Sequence, residues 1–232
     1  MTDIEMPLYW FIIIFVFVTL FIILFFIIKL ANPLRYVLKG QVDIAVEMYQ
    51  KQANQYSQHT MLCNSINYNI ALCYNLKGNF EESIEYLKKI NLSKIDKNLL
   101  SAYYLIYASD LLLLDRDFEL SEEYLIKAEK LKDLPGALII KSYVEAFKGN
   151  FQKAGDLIEE YKRKKQVFVI LGFYNMMFTN KVLEDITNDF FIGLTYRKMN
   201  ELDLAKQYFE RVGKHELKLF YIEKAKELSQ SI

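Results

Sequence analysis

The sequence predicts an all-α chain in which one N-terminal transmembrane helix precedes an α-solenoid of short helix-turn-helix repeats. Three observations carry that expectation. Residues 8–28 form an apolar run without a charge, glycine or proline. A short turn of the form Lys-Gly-Asn-Phe then recurs along the rest of the chain. Glycine and proline, at 8 and 3 residues, are scarce, which favours long helices over turn-rich β structure. Two segments follow: residues 1–30 as the anchor and 31–232 as a repeat domain. The latter holds about four repeats, a leading half-repeat and a C-terminal capping helix.

Leu8 to Ile28 contains 21 residues, of which 18 are Leu, Ile, Val or Phe. Such a helix is about 30 Å long, the thickness of a bilayer's hydrocarbon core. Each of those side chains favours insertion by roughly 0.3–0.6 kcal/mol near the bilayer centre. A cleaved signal peptide would have a basic leader, a shorter core and a small-residue exit. This leader is acidic (Asp3, Glu5), and the exit reads Lys29-Leu30-Ala31-Asn32-Pro33. Lys29, Arg35 and Lys39 follow the run, so the positive-inside rule puts residues 29 onward in the cytoplasm. The expectation is a single-pass cell-membrane protein with its N-terminus outside and its C-terminal domain cytoplasmic.

Charge excludes one class of partner. There are 29 basic and 29 acidic residues. Removing Asp3, Glu5 and Lys29 with the first thirty residues leaves 28 against 27. A nucleic-acid partner needs clustered Lys and Arg to neutralise phosphates, so none is expected. Cys63 and Cys73 provide neither a disulfide framework nor a ligand pair. His59 and His215 have no Cys or His at ligand spacing, so no metal or cofactor is expected.

The repeat is the most informative signal. Lys39-Gly40-Gln41-Val42, Lys77-Gly78-Asn79-Phe80 and Lys148-Gly149-Asn150-Phe151 are three copies of one turn. Asp115-Arg116-Asp117-Phe118 and Met199-Asn200-Glu201-Leu202 are degenerate copies. Anchored on Gly40, Gly78, Arg116, Gly149 and Asn200, the spacings are 38, 38, 33 and 51. Each anchor fits a left-handed residue between two helices, which glycine adopts freely, asparagine tolerates and arginine adopts only with strain. Asn79, Asp117 and Asn150 are placed to cap the following helix. Five residues after each anchor stands a small side chain: Ala45, Ser83, Ser121, Ala154 and Ala205. One turn further along the same face come Tyr49, Leu87, Leu125, Ile158 and Phe209. The pattern is that of a backbone-close helix contact next to a large core side chain.

These residues resemble the tetratricopeptide repeat family. Ile192, Gly193, Tyr196, Ala205, Phe209 and Val212 match its pattern best. Ile70, Ala71, Tyr74, Ser83, Leu87 and Ile90 form a second copy. Leu105, Ala108, Ser109, Leu112, Ser121, Leu125 and Ala128 form a third; Ser142, Ala154, Ile158 and Tyr161 a poorer fourth. The family's Trp is absent throughout, and its terminal Pro survives only as a shifted Pro135. The likeness covers roughly residues 34–215 and implies a right-handed superhelix of paired helices. In residues 34–54 the anchor helix takes the place of a first helix. Between Arg163 and Asp185 the chain is longer than the repeat by about half a unit. Val167–Phe178 there reads either as an extra core helix or, after the basic run Lys162–Lys165, as a membrane-surface contact.

No catalytic constellation is present: no P-loop, dinucleotide fingerprint, metalloprotease helix or nucleophile elbow. Acidic pairs such as Glu81-Glu82, Glu122-Glu123 and Glu159-Glu160 read as solvated faces. The resemblance implies a protein–protein interaction scaffold or receptor, not an enzyme. Its groove, lined by first helices, would include Tyr68, Leu72, Asn75, Tyr103, Ile106, Asp110, Ile139, Tyr143, Phe190, Leu194 and Arg197. Family members that grip a C-terminal carboxylate use Lys and Asn at such places, and only Asn75 and Arg197 resemble them here. An apolar or aromatic-anchored client segment is the implied partner, with the membrane as the second contact. The rival readings are a self-associating structural membrane protein, and so a homo-oligomer, or a non-catalytic subunit of a membrane complex.

Overall fold

A computed structural model describes residues 8–132, 134–164 and 181–232, with the side chains of 8 and 24–31 outside that description. Among the described residues the chain is all-helical, with eleven α-helices and one 3-10 turn at Leu92–Lys94. The helices are α1 (Leu8–Val37), α2 (Val42–Gln55), α3 (Thr60–Lys77), α4 (Phe80–Lys88), α5 (Lys97–Leu113), α6 (Phe118–Leu131), α7 (Pro135–Phe147), α8 (Phe151–Lys164), α9 (Lys181–Lys198), α10 (Leu202–Gly213) and α11 (Phe220–Gln230). They pack as hairpins: the end of α1 with α2, then α3–α4, α5–α6, α7–α8 and α9–α10.

One backbone device makes all five hairpins. After each first helix a residue turns left-handed: Gly40, Gly78, Asp115, Gly149 and Asn200, with φ between 53° and 82°. Its N–H reaches the carbonyl three residues back, and the next N–H reaches five back, as in Asn79 N to Tyr74 O (2.9 Å) and Glu201 N to Tyr196 O (2.9 Å). This pair of bonds satisfies carbonyls that the helix end would leave unpaired. In the third hairpin the left-handed residue is Asp115, not the expected Arg116. A short Asp side chain tolerates φ > 0 where Arg does not. The extra residue that this leaves is taken up at Asp117, itself at φ 36°. Of the three expected caps, Asp117 accepts from Leu120 N (3.0 Å), while Asn79 makes no such bond. The Asn150 amide donates instead to Glu145 (2.8 Å).

The small residues after the turns are all fully buried (Ala45, Ser83, Ser121, Ala154, Ala205), as are Leu87, Ile158 and Phe209 one turn on. Tyr49 and Leu125 at the same position are almost so. At Gly193 the two helices of a hairpin approach so closely that a Cβ would meet the Phe209 ring at 2.5 Å. Pro135 opens α7 at its first position, where a missing N–H leaves no helical bond unmade.

The expected transmembrane anchor is corrected here: among the described residues no helix is long and apolar enough to cross a membrane. The described side chains of the apolar run extend only from Tyr9 to Ile23, about 22 Å of helix against a core of roughly 30 Å. The rest of the run, from residue 24, falls among side chains outside the description. The expected single-pass cell-membrane location, with its outer N-terminus and cytoplasmic domain, loses its basis with the anchor. What α1 does provide is its C-terminal end, where Val37 is fully buried and Leu34, Tyr36 and Leu38 pack beside it. That end is the first helix of the first hairpin. The apolar run Val167–Phe178 also lies outside the described residues. Of the basic run before it, Lys162 pairs with Glu159 (2.6 Å) and Lys164 with Glu160 (3.0 Å).

Past α10 the described helices do not continue as an open stack. After α10, residues 214–219 lead back to the start of the array. The Lys218 backbone passes over Gly40, where a Cβ would stand 2.9 Å away. Phe220 packs on Gly78 and meets the Phe80 ring edge-on at 5.1 Å. Helix α11 then lies against α10, α9 and α3, with Tyr221, Ile222 and Ala225 fully buried.

Candidate partner-binding face

The left-handed residues give a common ruler for the first helices. Six residues before them stand Leu72, Ser109, Tyr143 and Leu194; ten before, Tyr68, Leu105, Ile139 and Phe190; three before, Asn75, Leu112, Ala146 and Arg197. Moving the third anchor from Arg116 to Asp115 shifts that helix by one residue. Leu105 and Ser109 therefore take the positions expected for Ile106 and Asp110. The greater tolerance of Asp for φ > 0 is the signal in the sequence that would have found this.

Burial divides the eleven expected residues. Leu72, Tyr143 and Leu194 are half-buried and Arg197 is exposed. Tyr68, Tyr103 and Ile106 are buried in one apolar cluster with Ile84 and Leu87. Ile139 and Phe190 are core residues at 0 % and 1 % exposure. Tyr143 and Arg197 are brought together: burial raises the Tyr143 phenol above its ordinary pKa, Asp115 adds to the rise, and the Arg197 charge opposes it. Tyr143 also meets Phe191 edge-on at 5.9 Å.

Asn75 and Asp110 are brought together as well, inside the fold. Asn75 Nδ2 donates to Asp110 Oδ1 (2.7 Å), and Asn75 Oδ1 accepts from the Tyr221 hydroxyl (2.7 Å). Asp110 is fully buried, and its Oδ2 has no hydrogen-bond partner among the described residues. Burial pushes its pKa up to about 8; the neighbouring Ser83 hydroxyl and Asn75 amide hold it down, and Glu81 adds a small rise. A charge in so dry a place is disfavoured, and protonation is the ordinary way out. The Phe190 ring packs edge-on against Tyr221 (5.2 Å) and Phe220 (6.2 Å). The inner positions of α3 and α9 are thus filled by the chain's own α11. Sequence reasoning missed Phe220 and Tyr221, because no local pattern marks a contact made 146 residues away.

The acidic pairs are spent on the surface. Glu81 meets Arg116 (3.1 Å), Glu123 meets Lys127 (2.6 Å), and Glu122 pairs with Lys148. The Cys73 thiol is buried and its pKa raised by desolvation, with Lys77 opposing, the setting of an inert thiol and not a nucleophile. Among the described residues no three His, Cys, Asp or Glu side chains gather as a metal site.

Comparison with known proteins agrees with the hairpin geometry. The tetratricopeptide repeat model matches residues 65–91 and 190–212, which fall on the hairpins α3–α4 and α9–α10. No curated protein and no solved structure gives a significant match. Two of the five hairpins therefore carry the sequence signature of a tetratricopeptide repeat, a module that generally mediates protein–protein contact.

Proposed function

We propose that the chain is a non-catalytic scaffold that receives a segment of another protein along its first helices. The observation that carries this reading is a row of apolar side chains at one turn position. Leu72, Tyr143 and Leu194 stand six residues before the left-handed residue in three different hairpins, and each keeps part of its surface exposed. Arg197 stands exposed one turn beyond Leu194. An aromatic or aliphatic client side chain seated on this row, with a polar contact to Arg197, would supply the few anchors that dominate such interfaces. The matching repeats at α3–α4 and α9–α10 support an interaction role of this kind.

The test is in-cell cross-linking and affinity purification of three forms: the parent, a Leu72→Glu/Tyr143→Glu variant, and a control carrying Lys206→Glu on the exposed side of α10. A partner retained by parent and control but lost from the double variant at equal abundance is the expected result. Equal capture by all three would refute the row as the binding face. Capture of nothing but further copies of the chain would replace the scaffold reading by self-association.

A further inference from the structure

The tetrapeptide Lys-Gly-Asn-Phe occurs twice, at 77–80 and at 148–151, and the two copies form the same turn. Gly78 and Gly149 both have φ of 82°. Asn79 N reaches Tyr74 O and Asn150 N reaches Glu145 O, each at 2.9 Å. Even the lysines match: Lys77 pairs with Asp43, and Lys148 with Glu122, in each case an acid of an earlier second helix.

The surroundings of the two turns differ. At the first, the Phe220 ring lies so close over Gly78 that any Cβ would collide with it, and its edge contact helps to bury Phe80 to 4 % exposure. At the second, nothing among the described residues comes within 4 Å of a Cβ built on Gly149, and Phe151 is 45 % exposed. Beside it Phe147 is 38 % exposed and stacks on Phe118 at 3.8 Å, with the Lys198 ammonium 4.1 Å from its centroid. Among the described residues Gly149 and Phe151 are therefore uncovered where Gly78 and Phe80 are covered, and Lys198 stands over the neighbouring Phe147 ring.

We propose that the Gly149–Phe151 turn is a docking site for a partner segment carrying a phenylalanine, seated as Phe220 is seated on Gly78 and Phe80. The occupied twin is the warrant. The same four residues in the same conformation already hold an aromatic ring supplied by a short Leu-Phe-Tyr stretch at the start of a helix. Glycine leaves room for the ring face, Phe151 offers an edge, and the Lys198 ammonium above Phe147 is a cation that favours a further π surface nearby. The site lies at the turn end of α7 and α9, where Phe147 and Lys198 stand one helical turn beyond Tyr143 and Leu194.

The probe is a labelled synthetic peptide with the sequence of residues 215–222, and the protein is the full chain. Anisotropy should show saturable binding, weakened at least tenfold by Phe151→Lys and also by Phe220→Ala in the peptide. Phe151→Lys alters an exposed side chain, so the variant's thermal unfolding should match the parent's. A photoreactive benzoyl-phenylalanine at position 151 should cross-link to the peptide. Absence of binding, or binding indifferent to Phe151→Lys, would overturn the proposal. Cross-linking of position 151 only to its own chain or to a second copy would also overturn it, by naming another occupant.

Discussion

The substitution Asp110→Asn should make the protein lose less stability as the pH rises. Asp110 is held at a pKa of about 8 in the fold by burial, against an ordinary value of 3.8. Between those values the folded state carries a proton that the unfolded chain has released, so stability falls as pH increases. The contribution is complete below about pH 4, is lost as pH climbs to 8, and is flat above. The slope is about 1.4 kcal/mol per pH unit. From pH 5 to pH 7.5 the parent should therefore lose about 3 kcal/mol through this group, a large share of the roughly 5–15 kcal/mol that hold a typical domain together. The introduced side-chain amide would keep an acceptor for Asn75 Nδ2 and would not titrate. The assay is urea unfolding of parent and variant at both pH values. Subtracting the two chains cancels titrations they share, including that of Glu145, where burial is outweighed by Lys153 and Asn150 and the pKa is lowered. A stability difference that does not change with pH would refute the reasoning, because Asp110 would then be no drier in the fold than out of it.

Four further substitutions and one rescue test the packing. Tyr221→Phe removes the donor to Asn75 Oδ1 and should cost about 1–3 kcal/mol, read as a lower urea midpoint at unchanged slope. Gly193→Ala should destabilise in thermal melts by about 1–3 kcal/mol despite alanine's better helix propensity, since its Cβ meets the Phe209 ring; Phe209→Leu in the same chain should recover part of the loss. Gly78→Ala and Gly149→Ala share the strain of φ 82°, about 1–2 kcal/mol each. Only the former also displaces Phe220, so chemical denaturation should show it to be the worse of the two.

The hairpins were legible because each is specified locally. A left-handed residue, a small side chain five positions on and a large one four further are all within one turn and one helix. Where the rule bends, at Asp115-Arg116-Asp117, the anchor shifts by one residue, and Leu105 and Ser109 take the register positions expected for Ile106 and Asp110. The candidate face was less legible. Burial of Ile139 and Phe190 depends on neighbouring helices, and the covering of Asn75 depends on Tyr221, far along the chain. The length, apolarity and flanking charges of residues 8–28 predict a membrane span that the described helices do not support. The two copies of Lys-Gly-Asn-Phe show the same limit at its sharpest, since identical sequences end with 4 % and 45 % exposure at their phenylalanines.

The return of the C-terminal segment to Gly40 and Gly78 changes what kind of object the array is. In a stack joined only neighbour to neighbour, repeats can fray from either end and each adds its own increment of stability. Here the first and last hairpins are clasped, so fraying at one end must also break the other, and the array should melt as a single unit. The clasp also orders events during synthesis. Asn75 is synthesised 146 residues before Tyr221, so the contacts of Asn75 and Gly78 with Tyr221 and Phe220 form only after α11 has been made. Until then the inner edge of α3 stands open, and the hairpins turning at Gly40 and Gly78 wait on α11 to be covered.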